Sequence, residues 1–184
     1  MDAAHSAWNV AHGLVWAAGR EPGKVAVREG RRALTYRALN ERVNQLAHAL
    51  VGLGLGPGDR LLLLLGDRIE HLEALFAAAK AGIVAAPVDH RWRPDEVRYA
   101  VDLYEPRAVL HEEATRALAP AIDGPRLCLE ADYESLLARA TAGEALGPVA
   151  MEAPFVIGCT SGTSGFPKGI VLSHCSMLWR MPIY

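Results

Sequence analysis

Thr160-Ser161-Gly162-Thr163-Ser164-Gly165-Phe166-Pro167-Lys168-Gly169 is the stretch of this sequence with the densest chemical potential. Four hydroxyls, three glycines and one lysine fall within ten residues. Glycine has no Cβ, so neighbouring backbone N–H groups can converge. Converged N–H groups make an anion nest. Hydroxyls add further donors, and a lysine adds a mobile positive charge. The sum describes a cradle for a polyphosphate, with Thr160, Ser161, Gly162, Thr163, Ser164, Gly165 and Lys168 as its candidate binding residues. Composition alone fits a Ser/Thr/Gly surface loop with an incidental lysine equally well. The order of the residues is what separates the two readings.

Two other phosphate loops do not fit that order. A Walker A loop needs Gly directly before Lys and Ser or Thr directly after it. Here Pro167 precedes Lys168 and Gly169 follows. A dinucleotide fingerprint needs GxGxxG between a strand and a helix. The glycines from Gly52 to Gly58 miss the spacing, because Gly52-x-Gly54 reaches Pro57 and Gly54-x-Gly56 reaches Asp59. Other constellations are weaker. His111-Glu112-Glu113-Ala114-Thr115 lacks the second His of a zinc helix. Residues 158–165 contain no G-x-S-x-G nucleophile elbow. No metal ligand set is expected. His174, at a strand-to-helix junction, reads as a capping or packing residue. Asp89-His90-Arg91-Trp92-Arg93 reads as a solvated loop with a half-buried Trp, and Met177, Trp179 and Met181 as core.

The loop lies between two apolar runs, Phe155-Val156-Ile157 and Ile170-Val171-Leu172. Upstream, Val25–Val27 and Ala33–Tyr36 flank a Gly30 turn and predict a short hairpin. Thr35 predicts a helix N-cap, and Leu39, Val43, Leu46, Ala47 and Leu50 share the following helical face. Gly52 to Gly58, with Pro57, ends that helix. Arg60–Leu65 is almost continuously apolar, as a strand buried on both faces must be. Ile69, Leu72, Phe76 and Ala79 mark a helix, Gly82–Val88 a second strand, and Pro94 the first turn of another helix. Ala108–Leu110, Arg126–Leu129 and Pro154–Ile157 are further strands. Asp132–Ala140 is helical between the last two, and 141–153 is a connecting loop. Strands alternating with helices predict an α/β fold, a mostly parallel sheet with helices on both faces.

The 184 residues suit one domain large enough to fold without a staple. Lys+Arg is 19 and Asp+Glu is 21, a net charge of −2. That balance leaves no electrostatic footprint for nucleic acid or an anionic membrane. The 51% apolar content excludes a wholly disordered chain. The three dispersed cysteines form neither a disulfide framework nor a CxxC site. No targeting segment or membrane span stands out; the short apolar stretch Gly13–Ala18 is too brief for either. A cytoplasmic protein is expected.

The order Thr-Ser-Gly-Thr-Ser-Gly-x-Pro-Lys-Gly, continued by Ile170-Val171-Leu172-Ser173-His174, resembles the adenylate-forming (AMP-dependent synthetase/ligase) superfamily, and within it the acyl-CoA synthetases. Leu34-Thr35-Tyr36-Arg37-Ala38-Leu39-Asn40 and Lys80-Ala81-Gly82-Ile83-Val84-Ala85-Ala86-Pro87-Val88 resemble two earlier family segments in the right order. The resemblance implies a reaction in which a carboxylic acid attacks the α-phosphate of Mg2+-bound ATP. Pyrophosphate leaves, and coenzyme A or a carrier-protein thiol captures the acyl-adenylate. ATP, Mg2+ and coenzyme A are the implied cofactors, and a fatty acid is favoured over an aryl acid. Thr160–Gly169 would hold the β- and γ-phosphates, where preorganised donors count most.

Cys159 stands where the family often has Tyr or Phe, and Ser164 where Thr is commonest. Cys159 is expected to be a packed strand residue, since neighbouring phosphate disfavours a thiolate. Family members are much longer. The resemblance therefore implies that residues 1–184 are a partial N-terminal AMP-binding (adenylation) domain, an incomplete piece of the large domain. The remaining N-terminal segments and the small C-terminal domain, with its adenylation lysine, are expected to be absent. No catalytic residue is expected within the chain, which should be inactive alone. Its partners would be a carboxylic acid and ATP, and also a complementing polypeptide or a second copy meeting exposed core. The rival expectations are a non-catalytic nucleotide-binding paralogue and one half of a split ligase.

Overall fold

The computed structural model describes residues 8–145, 147–160 and 168–180. It opens with a helix, α1 (Ala11–Arg20), that the sequence pattern does not announce. Val10 occupies its N-cap without a side-chain hydrogen bond, so the usual start signal is missing. The expected hairpin follows as β1 (Val25–Glu29) and β2 (Arg32–Thr35), turned at Gly30 with φ of 55°. Thr35 then caps α2 (Tyr36–Gly52), its Oγ1 accepting the Ala38 N–H at 3.3 Å. Leu39, Val43, Leu46, Ala47 and Leu50 are buried along one face of α2, as their spacing predicts. The helix ends at Leu53, whose own φ of −82° is not left-handed. The left-handed residue is Gly54, one position on.

The chain then winds a six-stranded sheet from β3 (Arg60–Leu64), β4 (Val84–Pro87), β5 (Ala108–His111), β6 (Arg126–Cys128), β7 (Pro154–Thr160) and β8 (Lys168–Ser173). The spatial order is β6-β5-β3-β4-β7-β8. The first five are parallel, and β8 returns antiparallel along the edge of β7. Leu61, Leu63 and Leu65 enter one core while Leu62 and Leu64 enter the other, which is why β3 is apolar at every position.

α3 (Ile69–Ala81) joins β3 to β4 and packs with α1 and α2 against the first face. α4 (Pro94–Tyr104) joins β4 to β5 and covers the second. Gly82 ends α3 with φ of 71°, where a Cβ would also lie 3.3 Å from Pro57 and Val149. α5 (Glu134–Arg139) is shorter than the expected 132–140 helix, because a π-turn over Leu129–Tyr133 precedes it. Residues 141–153 form no helix or strand among those described. The last element, α6 (His174–Leu178), is capped by Ser173, whose Oγ accepts the Ser176 N–H at 3.2 Å. Among the described residues no helix is long and apolar enough to cross a membrane.

Candidate functional site

In an open α/β sheet, ligands bind outside the carboxyl ends of the strands, where successive connections leave in opposite directions. That point lies here at β3, which has β4 on one side and β5 on the other. The carboxyl ends of β3, β4 and β7 border an open cleft of about 410 Å³, lined by Leu65, Asp67, His71, Val88, Asp89, His90, Arg91 and Cys159 among others. The Thr160 end of β7 reaches this rim, and β8 starts back from it at Lys168. Thr160 and Lys168 are cross-strand partners, and Cys159 and Gly169 form the next pair inward. The candidate loop is therefore entered and left from one rung of antiparallel ladder. Lys168 is exposed at that rung. The candidates Ser161, Gly162, Thr163, Ser164 and Gly165 lie outside the described residues, as does the Thr160 side chain.

The rung is braced from the second face of the sheet. Cys159 is half-buried; its Sγ lies 3.0 Å from the Tyr104 hydroxyl and 3.8 Å from the Pro87 carbonyl oxygen. Burial pushes the thiol above its usual range, against the pull of Tyr104. It is the packed strand residue expected from the sequence. At the cleft's other wall, Arg91 forks onto Asp89 with contacts of 2.9 and 2.6 Å. This pair and the Arg91 backbone N–H hold the Asp89 carboxyl well below the usual carboxylate range. Trp92 is half-buried against the second core, so the 89–93 segment matches its sequence reading.

His174 is fully buried behind the hairpin. Its Nδ1 accepts the Val10 N–H at 3.3 Å, and its ring stacks on Phe155 with centroids 5.0 Å apart. The proton must then sit on Nε2, which has no hydrogen-bond partner among the described residues. Burial, with His12 nearby, pushes its pKa down to about 4. It is a packing residue, as the sequence suggested, and its Nδ1 serves the N-cap residue of α1, which the sequence did not announce.

Lys80 is the polar residue whose role the sequence reading missed. It is fully buried. Its Nζ donates to Asn40 Oδ1 at 2.8 Å, to Asn44 Oδ1 at 2.5 Å, and to Glu144. Burial pushes the ammonium below its usual range although Glu144 opposes it. Burial would raise Glu144, but Lys80, Asn40 and the Ala145 N–H outweigh it and hold the carboxyl low. The Lys80 carbonyl also accepts the Gly147 N–H at 3.1 Å. This cluster fastens the 141–149 segment to α2 and α3. Asn40 and Asn44, one helical turn apart and flanking Val43, were the available sequence signal. Among the described residues no three His, Cys, Asp or Glu side chains converge on a metal site.

The AMP-binding enzyme family matches residues 14–182 of this chain. The chain belongs to that family. The match covers nearly all of it, and the adenylate-forming resemblance read from residues 160–174 is correct at family level. Among curated relatives, a fatty acid–[acyl-carrier-protein] ligase, ScoC, from Streptomyces coeruleorubidus is 34% identical over 86% of this chain and 32% of its own length. A feruloyl-CoA synthase from Amycolatopsis is 33% identical over the same shares, 86% and 32%. The inhibitor-bound N-terminal domain of FACL13 from Mycobacterium tuberculosis superposes with a TM-score of 0.84 at 27% identity, over 90% of this chain and 44% of that one. The fold is thus part of the N-terminal domain of adenylate-forming enzymes. The chain spans about a third of the length of these two curated relatives.

Proposed function

We propose that this chain supplies the pyrophosphate-binding hairpin of an ATP-dependent acid–thiol ligase. The observation that supports it is the Thr160–Lys168 rung at the carboxyl rim of a parallel sheet, carrying the hydroxyl- and glycine-rich sequence between its two ends. In the reaction, a carboxylate oxygen bonds to the α-phosphorus of ATP and the bond from that phosphorus to the bridging oxygen of pyrophosphate breaks. A thiolate of coenzyme A, or of a carrier protein, then takes the acyl group and AMP leaves. Charge grows on pyrophosphate in the first step. Thr160, Ser161, Thr163 and Ser164 donate to it, Gly162 and Gly165 admit it to the backbone, and Lys168 neutralises it. Mg2+ arrives with ATP and supplies charge neutralisation there.

A fatty acid is the first choice of substrate, in line with the name of the ScoC relative; the feruloyl-CoA synthase makes an aryl acid the direct competitor. The full reaction is assigned to a polypeptide of the relatives' length or to a complemented pair. The 184 residues alone form the partial adenylation domain and are expected to hold phosphate without turnover. An exposed β8 edge, with Ile170 and Val171 at 47% and 59% exposure, supports a complementing segment or a second copy at that edge.

The test is acid-dependent exchange of labelled pyrophosphate into ATP, run on the protein from its native source with a panel of fatty and aryl acids. Exchange with fatty acids supports the whole reading. Exchange with aryl acids alone overturns the substrate choice and keeps the chemistry. No exchange with any acid overturns the ligase reading in favour of a non-catalytic binding protein.

A further inference from the structure

The glycine that closes the candidate loop has a neighbour that explains it. A Cβ built on Gly169 would lie 2.7 Å from Tyr104 Cε1 and 3.2 Å from the Tyr104 hydroxyl. Gly169 therefore makes room for a tyrosine from α4. The same hydroxyl lies 3.0 Å from Cys159 Sγ, and Cys159 is the cross-strand partner of Gly169. One side chain thus touches both members of a single rung, the one directly inside Thr160 and Lys168.

Tyr104 is itself held. It is 5% exposed and is the last residue of α4. Arg60, at the start of β3, donates from Nε to the Tyr104 carbonyl oxygen at 2.7 Å and from Nη2 to that of Glu105 at 2.9 Å. Glu105 follows in a left-handed conformation, φ 46°, which costs a residue with a Cβ some strain. The helix end is anchored to the sheet before the tyrosine reaches the hairpin. Burial raises both the phenol and the thiol, so both are neutral and add no negative charge beside an anion site.

We infer that Tyr104 is a positioning residue for the loop: its ring seats Gly169 and its hydroxyl seats Cys159, which fixes the rung from which the loop departs. The link to phosphate rests on the function proposed above; the link to the hairpin rests on the contacts alone. With the Tyr104 hydroxyl 3.0 Å from Cys159 Sγ, a small residue at 159 leaves the tyrosine its space.

The test compares the wild-type chain with Tyr104→Phe, Tyr104→Ser, Cys159→Tyr and the double variant Tyr104→Ser/Cys159→Tyr. Amide hydrogen exchange at residues 159–160 and 168–170 reads the hairpin without any ligand. Pyrophosphate titration reads the loop, and the thermal midpoint controls for the fold. Tyr104→Phe keeps the ring and loses one hydrogen bond, so these amides should exchange roughly two- to tenfold faster, with the midpoint lowered by no more than about 4 °C. Pyrophosphate affinity should fall by a similar factor. Cys159→Tyr crowds Tyr104 and should loosen the rung further. Moving the aromatic to the strand, in the double variant, should bring exchange and affinity back toward wild type.

Wild-type exchange in Tyr104→Phe, or a double variant no better than Cys159→Tyr alone, would overturn the inference. Should wild-type chain not bind pyrophosphate, the phosphate reading fails, and the exchange rates still decide whether Tyr104 sets the hairpin.

Discussion

Lys80 and Lys168 sit at opposite extremes of one small molecule. Lys80 lies wholly inside, its ammonium shared among Asn40, Asn44 and Glu144. Lys168 lies exposed at the mouth of a hairpin. Burial of an ammonium is tolerable only where acceptors replace its water, and three do so around Lys80. A lysine in that state has no spare donor for a ligand and acts as a bolt between α2, α3 and the 141–149 segment. Lys168 is exposed at the rung from which the glycine-rich segment departs, where a cation is accessible to an anion from solvent. Two lysines of one sequence thus differ by environment: one is a buried stability element, and the other is the exposed residue proposed to meet pyrophosphate.

The comparison breaks most sharply under substitution. Lys80→Met keeps the apolar stem but removes the cation, leaving Asn44 Oδ1 to the Ala145 N–H and the Glu144 carboxylate to the Asn40 and Ala145 N–H groups. It should cost roughly 3–5 kcal/mol in a urea titration, toward the lower end because Glu144 can rehydrate. The 141–149 segment should lose exchange protection first. A loss under about 1 kcal/mol would mean that the cluster holds nothing together.

His174 sharpens the contrast, being a buried base whose Nε2 has no acceptor among the described residues. Its folded pKa, about 4, lies below the 6.5 of an unperturbed histidine. The unfolded chain therefore binds the proton first as pH falls. Stability from this group is complete above about pH 6.5, declines from there to about pH 4, and is then level. The decline amounts to about 3 kcal/mol. Denaturant stability measured across that window should lose this slope in His174→Phe. An unchanged slope would remove His174 as its source.

Gly82 ends α3 two residues after Lys80 and carries the chain into β4. Its positive φ makes Gly82→Ala cost about 1–2 kcal/mol, with Pro57 and Val149 close enough to add crowding. The smallest effect belongs to the other lysine. Lys168→Ala should change stability by less than about 0.5 kcal/mol in the same titration.

Much of this architecture was legible in the sequence because one physical constraint dominated each element. β3 had to be apolar throughout, since both of its faces are covered. α2 had to show a helical stripe and a Thr cap. α1 was not legible, because Val10 gives no capping signal and Gly13 and Gly19 interrupt the helix pattern. The antiparallel return of β8 was also missed, although only residues 161–167 separate its strands, too few for a parallel crossover. The candidate loop was legible as an ordered motif. Its brace from Tyr104 was not, because contact between α4 and β8 depends on the sheet order and on no local pattern. Lys80 was read as part of a family segment, and only its three acceptors reveal its work.

The central claim is that the hairpin carrying Lys168 holds pyrophosphate. Titration of pyrophosphate into the purified 184-residue chain, followed by 31P resonance shift, tests it directly. Saturable binding that weakens roughly ten- to a hundredfold in Lys168→Ala, with the melting midpoint unmoved, is the predicted result. No saturable binding by the wild type, or equal binding by both proteins, would contradict the account.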